Sequence, residues 1–102
     1  MQTIGTFVKA GEIYTGTILT LSLNVTVNIV PVEHTSENAP DYRIHWGSVE
    51  CGAAWTRIND AGREFLSVKL DDPALPYPIY ASLFADEDPD LFNLVWTRPK
   101  GR

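Results

Sequence analysis

Apolar and polar positions alternate with a period of two through most of this chain. Leu66, Val68 and Leu70 point one way while Phe65, Ser67 and Lys69 point the other. Ile79, Ala81 and Leu83 alternate in the same manner with Tyr80, Ser82 and Phe84. That period belongs to a strand with one face on a core and one on solvent. The segment between these two strands, residues 71–78, is stiffened by Pro73, Pro76 and Pro78, whose rings fix φ. Upstream, residues 3–9 and 13–21 predict a hairpin about Ala10, Gly11 and Glu12, with Thr15, Thr17, Leu19 and Leu21 on one face. Residues 24–33 predict a third strand, where Val25, Val27 and Ile29 alternate with Thr26, Asn28 and Val30. Its β-branched side chains disfavour a helix. Pro31 lacks the N–H that a ladder uses, which places that end of the strand at an edge or bulge.

Residues 35–41 form the longest polar connection, with room for one short helical turn. Alternation resumes over 42–46, with Tyr42, Ile44 and Trp46 opposite Arg43 and His45, and again over 49–58. Gly47 and Gly52 mark bulges or a close approach of backbones. Asn59, Asp60, Ala61 and Gly62 predict a turn with Gly62 at positive φ. An acidic turn at 85–90 leads to a last strand at 92–98, and residues 99–102 are expected to fray. Nowhere do apolar residues recur at helical spacing over three turns. The expectation is therefore one all-β domain over residues 1–102, a small antiparallel β-barrel or sandwich of seven to eight short strands with little or no helix. The prolines and acidic turns serve in this reading to blunt sheet edges.

Composition narrows the picture. With 102 residues, 44% apolar and 11% aromatic, the chain is long enough for a single hydrophobic core and lies clear of the disordered regime. Thirteen acidic against eight basic residues give a net charge of −5, so a nucleic-acid role requires a local basic face. The single cysteine, Cys51, makes no internal disulfide, and the opening MQTIGTF has neither the basic start nor the apolar run of a signal peptide. No apolar run reaches the roughly 20 residues of a spanning helix. The cytoplasm is the expected compartment, without membrane contact.

The chemical candidates are few. His34, His45, Cys51, Asp41 and Glu50 invite a metal or cysteine–histidine reading, but their spacing fits no ligand pattern, and a lone cysteine serves more often as a small apolar group. Asp86, Glu87, Asp88 and Asp90 offer oxygen ligands, yet the glycine of a calcium loop is missing and Pro89 stiffens the turn. No metal and no cofactor are expected. Arg43, Trp46, Arg57, Lys69 and Arg98, with Trp55, Tyr80, Trp96 and Lys100, combine basic and aromatic groups as single-strand-binding barrels do. The simpler reading puts the three tryptophans in the core. Leu75 and Tyr77 sit on the proline-stiffened loop, where binding costs little conformational entropy. Their plainer fate is to fold back and cap the core.

Several stretches carry a family likeness: IGTF, TGTILTLSLNV, VPVEHTSENAPDYRI, GAAW and SVKLDDPALPYPIYASLF. Together they make the chain resemble, from Ile4 to Pro99, the proteobacterial family catalogued as domain of unknown function 736. The resemblance implies a small bacterial protein, often encoded on plasmids or other mobile elements, and it transfers no activity and no catalytic residue. The combined expectation is a non-enzymatic domain that acts by binding a protein partner or its own copy through Leu75 and Tyr77. The alternative is a barrel that binds single-stranded nucleic acid through Arg43, Trp46, Arg57, Lys69 and Arg98.

Overall fold

The alternating segments become eight strands in a computed structural model that describes residues 1–33 and 36–98. They are β1 (Gln2–Ala10), β2 (Ile13–Leu19), β3 (Asn24–Pro31), β4 (Tyr42–Trp46), β5 (Val49–Ile58), β6 (Glu64–Leu70), β7 (Ile79–Ala85) and β8 (Leu91–Trp96). Each pairs antiparallel with its sequence neighbours, and β1 pairs with β8 to close a barrel. Of the two expected architectures, closure selects the barrel. It also corrects the account of the sheet edges, because the ring has none for prolines to blunt.

Pro31 is likewise not on an edge strand. It ends β3 opposite Tyr42, and the next residue, Val32, donates its N–H to the Asp41 carbonyl at 3.0 Å. In an antiparallel ladder, successive residues bond to opposite sides. The nitrogen of Pro31 therefore faces β2, which has already ended, and its missing N–H costs no ladder bond. The predicted turn at 59–62 forms with Gly62 at φ 80°, and Asn59 Oδ1 accepts the N–H groups of Ala61 and Arg63. In the 36–39 segment Ala39 N–H bonds to Ser36 O, one isolated turn.

The inside of the barrel is apolar. Phe7, Ile18, Val27, Ile29, Ile44, Val68, Leu83 and Leu94 are almost wholly buried, each contributing about 1.5–3 kcal/mol relative to exposure. Small barrels need small residues where large ones cross them, and β-strand glycines serve that purpose here. Gly16 faces Phe7 so closely that a Cβ would stand 2.5 Å from the ring's Cγ. Gly52 lies against the Lys69 carbonyl, as a close approach of backbones requires. The outer face is mixed: on β2 and β3 Thr15 Oγ1 donates to Asn28 Oδ1 at 2.8 Å and the Thr17 and Thr26 hydroxyls meet at 3.2 Å, while on β6 and β7 the Phe65 and Phe84 rings stack at 5.0 Å.

Two bulges turn an extra residue inward. Thr3 pairs with Val95 and Gly5 with Leu94, leaving Ile4 unpaired and buried. Ile44 pairs with Gly52 and His45 with Glu50, leaving Cys51 as the extra residue of β5. The two ends of the barrel then differ. At one end Tyr14 packs edge-on against Tyr42 and Phe92, with centroids 5.8 and 5.0 Å away, and Lys9 lies 5.2 Å over Tyr14. At the other end Trp46 and Trp96 stand at the ends of β4 and β8, and an apolar mouth opens between the connections.

Candidate functional site

Three connections and the chain ends surround the open mouth: residues 20–23 between β2 and β3, residues 47–48 between β4 and β5, and residues 71–78 between β6 and β7. Within them lies a cavity of about 210 Å³. Ile18, Val25, Val27 and Leu70 form its walls, and Leu23, Trp46, Val49, Ala74 and Leu75 its rim. Among the described residues, Cys51 and Asp72 complete the lining.

Local hydrogen bonds set this rim. Thr20 Oγ1 accepts the N–H groups of Ser22 and Leu23 at 3.3 and 3.1 Å, and Thr20 N–H bonds to Leu23 O at 2.8 Å. Leu23 is thereby turned into the mouth, and Leu21 stands fully exposed at the tip. Gly47, at φ 61°, makes a two-residue turn that brings Trp46 opposite Val49. Asp72 closes the start of the proline loop: its carboxylate accepts Ala74 N–H at 2.9 Å and its carbonyl accepts Leu75 N–H at 2.8 Å. That turn carries Leu75 over the core. Burial pushes the Cys51 thiol above its ordinary pKa, and the Asp72 carboxylate adds to the rise. A thiol so placed stays protonated and behaves as an apolar group.

Leu75 and Tyr77 thus divide between the two fates considered for them. Leu75 is half-buried against the core, while Tyr77 is 79% exposed on the outside of the same loop. Two of the tryptophans depart from a core placement. Trp46 is 54% exposed at the rim. Trp55 lies on the outer face, where its Nε1 donates to Asn38 O at 3.1 Å, and Trp96 packs half-buried against the core. The reason for Trp55 is that the inner row of β5 is Gly52, Ala54 and Thr56, small residues opposite Leu70, Val68 and Leu66.

The basic candidates are only partly gathered. Arg43, Ala53 and Lys69 form one cross-strand row on the outer face, and Trp55 and Arg57 continue along β5 from it. Glu50 engages Arg43 at 3.5 Å, and Asp71 lines the same groove. Lys69 Nζ stands 6.0 Å over the Tyr80 ring. Arg98 lies apart from them, 5.3 Å over Trp96 beyond the end of β8, and Trp46 belongs to the mouth.

For His45 the cysteine–histidine reading does not survive the geometry. His45 pairs with Glu50 on the outer face, whereas the bulge turns Cys51 into the mouth. His34 lies outside the described residues, as do Lys100 and the 99–102 tail. In the acidic turn, Asp86 Oδ1 accepts Glu87 N–H and Asp88 Oδ1 accepts Asp90 N–H, so these carboxylates act as turn acceptors. Leu21 and Val49 were not singled out by the sequence as mouth residues, and Cys51 was considered only as a metal ligand, as a histidine-paired thiol or as a small apolar group. Leu21 is a single apolar residue in a turn and Val49 is the first residue of β5, while Cys51 is exposed to the cavity only by a bulge that its own side chain does not encode.

No curated protein and no solved structure matches the chain. Residues 3–99 do match a family, the one described as Protein of unknown function (DUF736). With a match over nearly its whole length, the chain belongs to that family.

Proposed function

We propose that this protein is a non-enzymatic binding domain whose working surface is the open end of the barrel, and that it takes there an apolar side chain of a protein. The observation that carries this reading is the combination of an apolar cavity with exposed apolar groups around it. Leu21 and Tyr77 on the connections, and Trp46 and Val49 flanking the β4–β5 turn, are all exposed at the mouth end. Solvated apolar groups gathered about a concave apolar site mark a contact surface, since burying them releases free energy in proportion to their area. A preset rim, with loops fixed by prolines and side-chain hydrogen bonds, lowers the entropy lost on contact. The second reading, single-stranded nucleic acid on the Arg43, Lys69, Trp55 and Tyr80 face, draws on the row that joins Arg43 to Lys69. It is the weaker one, because Glu50 and Asp71 share that groove and the net charge is −5.

Affinity capture from a bacterial host, with and without nuclease, separates the two. A protein retained by the parent chain, insensitive to nuclease, lost with Tyr77→Ala and Trp46→Ala and kept with Lys69→Glu, is the expected result. Retention that disappears with nuclease or with Lys69→Glu alone selects the nucleic-acid face instead.

A further inference from the structure

We propose that the protein received at the mouth is a second copy of this chain, joined end to end about a two-fold axis with Leu21 of each copy seated against the cavity of the other. This deepens, and rests on, the reading of the mouth as a protein contact. A two-fold interface needs a patch that is complementary to itself. Here the projecting group and the receiving cavity occur on the same end of one molecule. Leu21 is held out by the Thr20 hydrogen bonds of its turn, so it needs no rearrangement to project. The cavity, at about 210 Å³, exceeds the roughly 150 Å³ of an apolar cavity that admits benzene, and an isobutyl group fits it.

Strand order supplies an independent condition. Around the mouth the chain ends, the β2–β3 turn, the β4–β5 turn and the β6–β7 loop follow one another in that order. A two-fold axis perpendicular to the barrels reverses the order in the second copy. The axis that lays the β2–β3 turn of one copy on the β4–β5 turn of the other brings Leu21 to Trp46 and Val49. The same operation lays the chain ends on the β6–β7 loop. Beside the chain ends is Arg98, and on the loop are Asp71 and Asp72. Seating the apolar group therefore also sets opposite charges against each other, twice per dimer, which fixes register and speeds encounter.

Sedimentation of the full chain over a range from micromolar to submillimolar concentration tests the arrangement. The expected result is a reversible dimer, accompanied by a blue shift of Trp46 fluorescence, whose dissociation constant rises at least about tenfold in Leu21→Asp. Leu21 is fully solvated in the single chain, so this variant folds, and circular dichroism confirms it. Arg98→Glu should weaken the dimer, and Arg98→Glu with Asp71→Lys should restore it. A chain that stays monomeric throughout, or a dimer indifferent to Leu21→Asp, overturns the proposal. If the chain is monomeric and yet retains another protein through Trp46 and Tyr77, only the identity of the partner is wrong. If it is monomeric and mouth substitutions change nothing that it retains, the mouth itself has been misread.

Discussion

Phe7 and Gly16 show how single residues set the dimensions of this barrel. The Phe7 ring occupies the volume that a side chain at position 16 would need, and the Thr6 carbonyl closes the remaining approach. Gly16→Ala is expected to cost about 1–3 kcal/mol, an overpacking penalty, read as a lower urea midpoint. Combining it with Phe7→Leu should recover only part of the loss, because the Thr6 oxygen stays in place. The titrating groups lead to a second expectation. Burial holds the Tyr14 and Tyr42 hydroxyls above their ordinary value of 10.0 and the Cys51 thiol above 9.0. The unfolded chain ionises at those ordinary values, and the folded chain only at higher pH. Their contribution to stability is thus complete below pH 9, declines as pH rises past 9 for the thiol and past 10 for the phenols, and is lost beyond the folded pKa values. Urea titrations from neutral to strongly alkaline pH should show that decline, and Tyr14→Phe should make it shallower. An unchanged profile in Tyr14→Phe would remove this tyrosine from the account.

At the scale of elements, the long β3–β4 connection is strapped to the outside of β5. Asp41 Oδ2 accepts Thr56 N–H at 2.7 Å, Asp41 N–H bonds to Ala54 O at 3.0 Å, and Trp55 Nε1 reaches Asn38 O. Asp41→Ala leaves a half-buried N–H without its acceptor and should cost about 1–3 kcal/mol, whereas Asp41→Asn, which keeps an oxygen, should cost less. Chemical denaturation of both variants checks the order. The strands themselves were legible from Val25, Val27 and Ile29, or from Leu66, Val68 and Leu70, because period two fixes which residues share a face. It does not fix which face of an aromatic strand is inner, and so Trp55 was misplaced while Tyr42 and Ile44 were not. The bulge at Cys51 was hidden for another reason. Gly52 signalled a close approach, but the extra residue is chosen by the register of β4 against β5, a property of the pair. The mouth is a tertiary object made by three turns distant in sequence, so Leu75 and Tyr77 hinted at it and Leu21 and Val49 did not.

For the whole molecule, closure makes every strand an interior strand. Amide exchange in β1 and β8 should then be as slow as in β5 and β6, apart from fraying at the last residues. Fast exchange along one full side of β1 would indicate an open sheet or sandwich and contradict the ring. The β1–β8 pairing has a kinetic consequence as well. The other seven ladders join strands adjacent in sequence and can form by local zippering, whereas this one joins residues such as Phe7 and Phe92 across almost the whole chain. Its loop-closure entropy is the largest in the protein, so the seam is the natural last step of folding. During that interval β1 and β8 each present a free edge. Chains at high concentration can meet through those edges before either has closed, exchanging terminal strands instead of completing their own rings.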